Sequence, residues 1–503
     1  MLQLHALFSD HMVLQRRQTV PIWGTAEPGD RICVTIGNFV EYAYAKIDGT
    51  WLLNLEPMEA GGPYEMRVFC AHGNICFTDV WIGEVWLAGG QSNMELELVQ
   101  SKDGEKEVEG SNRPWIRFYQ VPKYAVLDAE QAIAEKEMKW QVCSPATSGN
   151  MSAVAYHFAC EIQETQKLAI GIIHCCWGGT SISCWMSREQ LSRTMAGQGY
   201  IDRYAALVGD KTDEQYKQEM EEYFTKWNAW NDRVQAYKAE NPDTTWEILN
   251  ETCGLCPWSQ PAGNQSPFRP AGLYESMIRR VAPYGMRGFL YYQGEEDQEH
   301  FATYEEMLYL LIDQWRRDWG REEMPVILAQ LPMYCSKEEY VNGEDSKNWA
   351  YMRTAQMKAS KTIANTGIAV LTDCGEFDNI HPLDKLTVGH RMALQARKYV
   401  YGEEIVADGP QCQYVKIEGH TMIVTFAFAQ SGLIFTGDTL RGFEMAGENG
   451  IFFEASGRIQ DNQVILSSMK VSQPCYVRYG WTNFGEANLY NQEGLAAASF
   501  TTL

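Results

Sequence analysis

The sequence predicts an α/β protein: a parallel sheet covered by helices on both faces, with β-rich regions at either end. Three observations predict it. Residues 1 to about 80 alternate apolar and polar residues at period two between turn signals, and from about 403 the same alternation returns. Between them, short apolar runs alternate with helical patterns, which is the signature of βα units. Hydrophobic residues make up 45% of the chain and charged residues 21%, a balance that excludes a largely disordered protein. With 503 residues one ordinary core is too few; at roughly 100–200 residues per domain the chain holds about two to four.

The elements follow in order. Segments 31–47 and 63–71 are alternating strands punctuated by Pro-Gly-Asp, Asp-Gly-Thr and Ala-Gly-Gly-Pro turns, so 1–80 reads as a small β-sandwich-like domain. The pattern changes at Val80: Glu84–Gly90 is a short apolar run ending in two glycines, and Gln91–Gln100 follows as a helix start. Strand-like 115–121 precedes an amphipathic helix at 155–169, a buried strand at 170–176 and a helix at 273–284. Strands at 288–292, 325–333 and 367–375 then alternate with helices at 304–319, 353–363 and 383–401. Residues 190 to about 260 break this rhythm with a charged, Trp-bearing helical stretch and an irregular loop, and read as a mainly helical insertion near a pocket mouth. The remaining boundaries are a domain over 81–402 and a C-terminal β-rich region over 403–503.

Charge narrows the partners. Lys+Arg 42 against Asp+Glu 65 gives −23, which repels phosphate backbones and anionic lipid, so neither nucleic acid nor a membrane surface is expected. A small anionic substrate would need positive groups supplied by its own pocket. No stretch approaches the ~18 apolar residues of a membrane span. The scattered 14 cysteines read as reduced thiols, and Cys253 and Cys256 as loop residues rather than a zinc site. With no basic region followed by an apolar run at the N-terminus, the expectation is a cytoplasmic protein. Oligomeric state is not legible.

Ligands of a doubly wound sheet sit at the carboxyl ends of its strands, and four loops there are unusual. Gly89-Gly90-Gln91-Ser92-Asn93-Met94 would lift Ser92 to the top of the sheet, beside free N–H groups suited to an oxyanion; Ser92 could instead merely cap its helix. Trp177-Gly178-Gly179-Thr180 exposes backbone N–H groups, or is a tight turn. Tyr292-Gln293-Gly294-Glu295 offers a side-chain amide donor, with Glu295 an acid, an orienting group or a solvated carboxylate. Asp378-Asn379-Ile380-His381-Pro382 carries a carboxylate three residues before a histidine. Such a pair can hold the imidazole's Nδ1–H while Nε2 faces a serine, or can be a turn before proline. His174 and His390 read as structural.

Together the four loops resemble the SGNH hydrolase superfamily and, within it, the sialate O-acetylesterase family. The resemblance runs through LFSDHMVLQR, VPIWGTAEPGD, VWLAGGQSNME, WGGTSISCWM, the segment ending GFLYYQGEED, DNIHPLDK and the closing CYVRYGWTNFGEANLYNQEGLAAASF. It implies a flavodoxin-like sheet and a serine esterase that removes O-acetyl groups from sialic acids through an acetyl-enzyme. By resemblance Ser92 is the nucleophile, His381 the base and Asp378 its orienting partner, with Glu295 as the rival acid. The backbone of Ser92 and Gly179 (or Gly178) and the amide of Gln293 would form the oxyanion hole. Gln293 stands where the superfamily has Asn, and Glu296-Asp297 where relatives carry Ser-Asn or Ser-Asp. The partner implied is an acetylated sugar, with no metal or organic cofactor. An acetylated xylan or another glycan is the alternative substrate, and a non-catalytic carbohydrate-binding protein the distant one. A sialate site should supply an Arg or Lys for the sugar carboxylate, for which Arg269 and Arg353 are candidates.

Overall fold

A computed structural model describes residues 1–242 and 244–503, and all their side chains but that of Glu130. One strand organises the fold. Gly73–Gly90 (β1) is only partly covered over its first half, where it pairs antiparallel with Gly61–Cys70, and is buried without a break from Ile82 to Gly90. The change marks where the chain passes from a sheet open on one face to a sheet covered on both. The remaining strands of that inner sheet are Arg113–Gln120 (β2), Gln141–Cys143 (β3), Ile170–Cys176 (β4), Gly288–Tyr292 (β5), Val326–Ala329 (β6) and Thr366–Ala369 (β7). Their spatial order is β3-β2-β4-β1-β5-β6-β7, with all neighbours parallel except the edge strand β3.

The expected α/β class is met, with one difference in order. Counted along the chain, the parallel strands lie 2-3-1-4-5-6, because β4 hydrogen-bonds both β2 and β1; a flavodoxin-like sheet would read 2-1-3-4-5. The direction of winding still reverses at β1, so a crevice forms beyond its carboxyl end, between the loops that follow β1, β4 and β5.

Position 80 lies inside β1, and the N-terminal strands join the inner sheet through it. Buried Leu14, Val34, Trp86, Ile172 and Leu290 share one apolar cluster across that position. Fully buried Glu84 pins the junction: its carboxylate takes Arg16 Nε at 2.5 Å and Arg287 Nε at 2.6 Å. Burial alone would raise its pKa, but the two guanidiniums hold it below the usual carboxylate range.

Helix Ala153–Gln166 lies against helix Lys385–Tyr399. Gly389 permits the approach, since a Cβ there would lie 2.6 Å from that of His157. His174 faces Cys176 Sγ within β4, and His390 pairs Glu161. In the insertion, helix Asp213–Glu240 begins with a reciprocal cap between Thr212 and Gln215. It packs on Trp246–Cys253 around Trp230, Val234, Leu249 and Cys253, so Cys253 is a core residue. The C-terminal strands, from Gln411 onward, enclose a separate core that includes Val424, Phe443, Val464 and Tyr479. Arg353 ties that region to the inner domain by donating to the Gly480 and Thr482 carbonyls and to Ser499 Oγ. It is wholly buried there, so it cannot meet a sugar carboxylate in the crevice. No described helix is long and apolar enough to cross a membrane.

Candidate active site

At the carboxyl end of β1, Gly90 has φ +131 and lies against the Tyr292 carbonyl, where any Cβ would collide. Gln91 N–H then donates to that carbonyl at 3.0 Å, and a four-residue helix, Ser92–Glu95, begins at once. The expected longer helix stops there. Ser92 makes no side-chain cap. Its Oγ instead lies 2.8 Å from His381 Nε2, bridging 289 residues of chain. For Ser92 to donate, the ring proton must sit on Nδ1. Burial, helped by the charge of Lys385, pushes the His381 pKa down to about 4, so the ring is a neutral acceptor at ordinary pH.

The histidine loop is held by groups other than the expected one. Asp378 has φ +53, and its carboxylate accepts from Lys337 N–H at 2.9 Å and from the Asn250 amide at 3.2 Å. Among the described residues it makes no hydrogen bond to His381. The spacing would allow that bond, but the left-handed backbone and two competing donors direct the carboxylate onto the insertion and the start of helix Lys337–Asn342. The expected Asp378–His381 pairing is therefore corrected. Asn379 receives the His381 N–H at 3.0 Å, while Glu376 takes the Asn379 amide and the Leu383 N–H, both at 2.7 Å.

Glu295 does not reach His381 either. It is buried, with Oε1 accepting from Asn93 Nδ2 at 2.6 Å and Oε2 without a partner among the described residues; burial raises its pKa. Asn93, which sequence reasoning passed over, is the hub here. Its Nδ2 also donates to the Ile380 carbonyl at 2.9 Å, and its Oδ1 accepts from Lys385 Nζ at 2.5 Å. One amide thus ties the residue after Ser92 to the residue before His381. Lys385 is itself buried, which pushes its pKa down to about 8, and it lies 5.5 Å from the Tyr292 ring centroid.

The glycine loop after β4 abuts the serine. A Cβ at Gly178 would lie 3.2 Å from Ser92 Cβ, and Gly179, at φ +71, lies against the Trp258 ring with no room for a side chain. Gly178 N–H donates to Glu95 Oε2 at 2.6 Å, and Glu95 is also paired with Lys123. The N–H groups of Ser92 and Gly179 have no acceptor among the described residues, which leaves them open to a ligand oxygen.

Gln293 departs from expectation. Its Nε2 is spent on Asp297 Oδ2 at 2.5 Å and on Gln91 Oε1 and the Thr180 carbonyl at 3.1 Å each. Its Oε1 accepts from Tyr304 OH at 2.6 Å. At 1% exposure this amide joins three loops from beneath and has no proton left for an oxyanion, so its expected donor role is corrected. Arg269, the other candidate for a sugar carboxylate, donates to the Ser266 carbonyl of its own loop. Among the described residues no three metal-ligating side chains cluster. Of the residues that sequence reasoning passed over, Asn379 had a signal, an Asn two residues before His381; Trp258, in an irregular loop, had none.

Residues 82–229 and 194–398 match the family described as carbohydrate esterase, sialic acid-specific acetylesterase. The mouse sialate O-acetylesterase is 26% identical over 454 residues, covering 84% of this chain and 78% of that protein. The human sialate O-acetylesterase is likewise 26% identical, over 84% of this chain and 76% of that one. A carbohydrate acetylesterase from Xanthomonas citri superposes with a TM-score of 0.78 at 29% identity, covering 100% of both chains.

Proposed function

The chain belongs to the sialic acid-specific acetylesterase family of carbohydrate esterases, and on that premise we propose that Ser92 and His381 carry its deacetylation chemistry, with O-acetylated sialic acid as substrate. The observation that carries the reading is the 2.8 Å contact between Ser92 Oγ and His381 Nε2 at the carboxyl end of the sheet.

His381 takes the hydroxyl proton as Ser92 Oγ attacks the acetyl carbonyl carbon. The developing oxyanion lies within reach of the Ser92 and Gly179 N–H groups, which cost no reorganisation because the backbone already holds them. The C–O bond to the sugar breaks, and the sugar oxygen leaves with the proton from His381. Water then repeats the sequence on the acetyl-enzyme and releases acetate. With its histidine lacking a carboxylate partner among the described residues, the site works as a serine–histidine pair. The imidazolium that forms is disfavoured by burial and by the Lys385 charge, so its proton passes readily to the leaving sugar oxygen.

The test is acetate release from 9-O-acetyl-N-acetylneuraminic acid and from acetylated xylotriose in parallel, with Ser92→Ala as control. The reading expects kcat/KM at least ~100-fold higher on the sialic acid, about 2.7 kcal/mol of transition-state discrimination. Ser92→Ala should lower kcat by ~10³ or more. Preference for the xylo-oligosaccharide would move the enzyme to plant-glycan deacetylation, and acetate release independent of Ser92 would overturn the catalytic assignment.

A further inference from the structure

A cavity of about 740 Å³ opens between the helical insertion and the loops after β4 and β5. Trp258 and Glu296 line it, and both adjoin the chemistry: Trp258 packs on Gly179, and Glu296 follows Glu295. Its far wall comes from helices Met195–Val208 and Asp213–Glu240, which supply Tyr200, Arg203 and Lys226 together with the carboxylates Glu219 and Glu222. Tyr200 is anchored from behind, its hydroxyl donating at 2.8 Å to buried Asp297, which also takes Ser181 Oγ and Ile182 N–H, each at 2.8 Å. Its ring therefore stands as a fixed platform, and the Arg203 guanidinium lies over it, 4.7 Å from the centroid.

Arg203 makes no ion pair or hydrogen bond with any described residue. Although the chain carries a net −23, this exposed guanidinium at the cavity wall has no carboxylate partner among the described residues. Guanidinium is the protein group best matched to a carboxylate, which it grips through two parallel N–H donors. The fixed tyrosine and the indole of Trp258 offer flat apolar surface to the C–H faces of a sugar, and Glu296 an acceptor for its hydroxyls.

We propose that this cavity holds the acid-bearing portion of the leaving sugar, with Arg203 pairing the sugar carboxylate while the ester carbonyl lies at Ser92. The proposal deepens the sialate reading and rests on it. The shared chemistry is a sugar carboxylate, which both sialic acids and uronic acids carry.

The experiment compares wild type with Arg203→Gln on four substrates: 9-O-acetyl-N-acetylneuraminic acid, its C1 methyl ester, O-acetylated galacturonic acid and acetylated xylotriose. Arg203→Gln is expected to lower kcat/KM on the sialic acid about 30-fold, mainly through KM; this corresponds to about 2 kcal/mol at 1.4 kcal/mol per tenfold. On the methyl ester and on xylotriose the change should stay below about threefold, since those substrates offer no charge to pair. The neutral substrates also report that the variant is folded. Equal losses on the acid and its methyl ester, or no loss on either, overturn the role of Arg203 while leaving the sialate reading in place. A wild-type enzyme that prefers the galacturonate, with the same Arg203 dependence, removes the sialate reading but supports the cavity's preference for an acid. Activity confined to xylotriose overturns both.

Discussion

Replacing Asn93 by alanine tests whether one buried amide holds the nucleophile and the base in register. Asn93 is 0% exposed and serves three partners: the Glu295 carboxylate at 2.6 Å, the Ile380 carbonyl at 2.9 Å and the Lys385 ammonium at 2.5 Å. The truncation leaves a buried acid, a half-buried carbonyl and a buried ammonium each one bond short. Each orphaned group costs about 1–3 kcal/mol, more where it is charged, so the sum should reach at least about 4 kcal/mol. The amide also spans the residues flanking Ser92 and His381, and a misplacement of about 1 Å between reacting groups costs roughly 10²-fold in rate. The expected result of Asn93→Ala is therefore both a loss of stability, read by denaturant unfolding, and a fall of about 100-fold in kcat with KM nearly unchanged. A merely structural role would show the first without the second once the protein is assayed well below its melting temperature. A variant that loses under about 1 kcal/mol and keeps normal kcat would refute the reasoning, because it would mean that the three contacts are not shared by one group.

Other expectations follow from the same geometry. His381 acts as a base only when neutral; with its pKa near 4, kcat/KM should stay level above about pH 5 and fall tenfold per unit below pH 4, whereas a midpoint near the ordinary histidine value of about 6.5 would contradict the burial argument. Asp378→Asn should cost less than about tenfold in kcat, because its carboxylate bonds Lys337 N–H and the Asn250 amide; a loss near 10⁴, as expected when a triad's orienting acid is removed, would restore it to that role. Gly179→Ala cannot be accommodated beside Trp258 and should lower kcat by at least about 100-fold through loss of a held oxyanion donor, read by steady-state acetate release. Glu84→Ala leaves Arg16 and Arg287 without their shared anion and should destabilise the fold by about 3–5 kcal/mol in denaturant melts; acidification should weaken the same junction, since a carboxylate with a lowered folded pKa contributes stability only while ionised.

Legible from the residues alone were the α/β class, the glycines at the ends of β1 and β4, and Ser92 and His381 as candidates. These features are local: period-two and apolar runs mark strands, Gly90 admits a backbone conformation other residues resist, and a serine after Gly-Gly-Gln or a histidine before proline is visible as a short motif. The β1 continuity across residue 80 was not legible, because the alternation ends there while hydrogen bonding does not. Tertiary structure alone decided which polar group bonds which. Asp378 and His381 are three residues apart, yet the carboxylate is taken by donors 41 and 128 residues away. Gln293 had a free amide by its residue type, but Asp297, Gln91, Thr180 and Tyr304 consume it. Asn93 lies in the Ser92 motif with nothing there to assign its role, and became the tie between two loops only when the chain brought Ile380, Lys385 and Glu295 around it. A side chain's type sets what it can donate or accept; which partner it meets depends on the competing groups that distant segments deliver to the same buried volume.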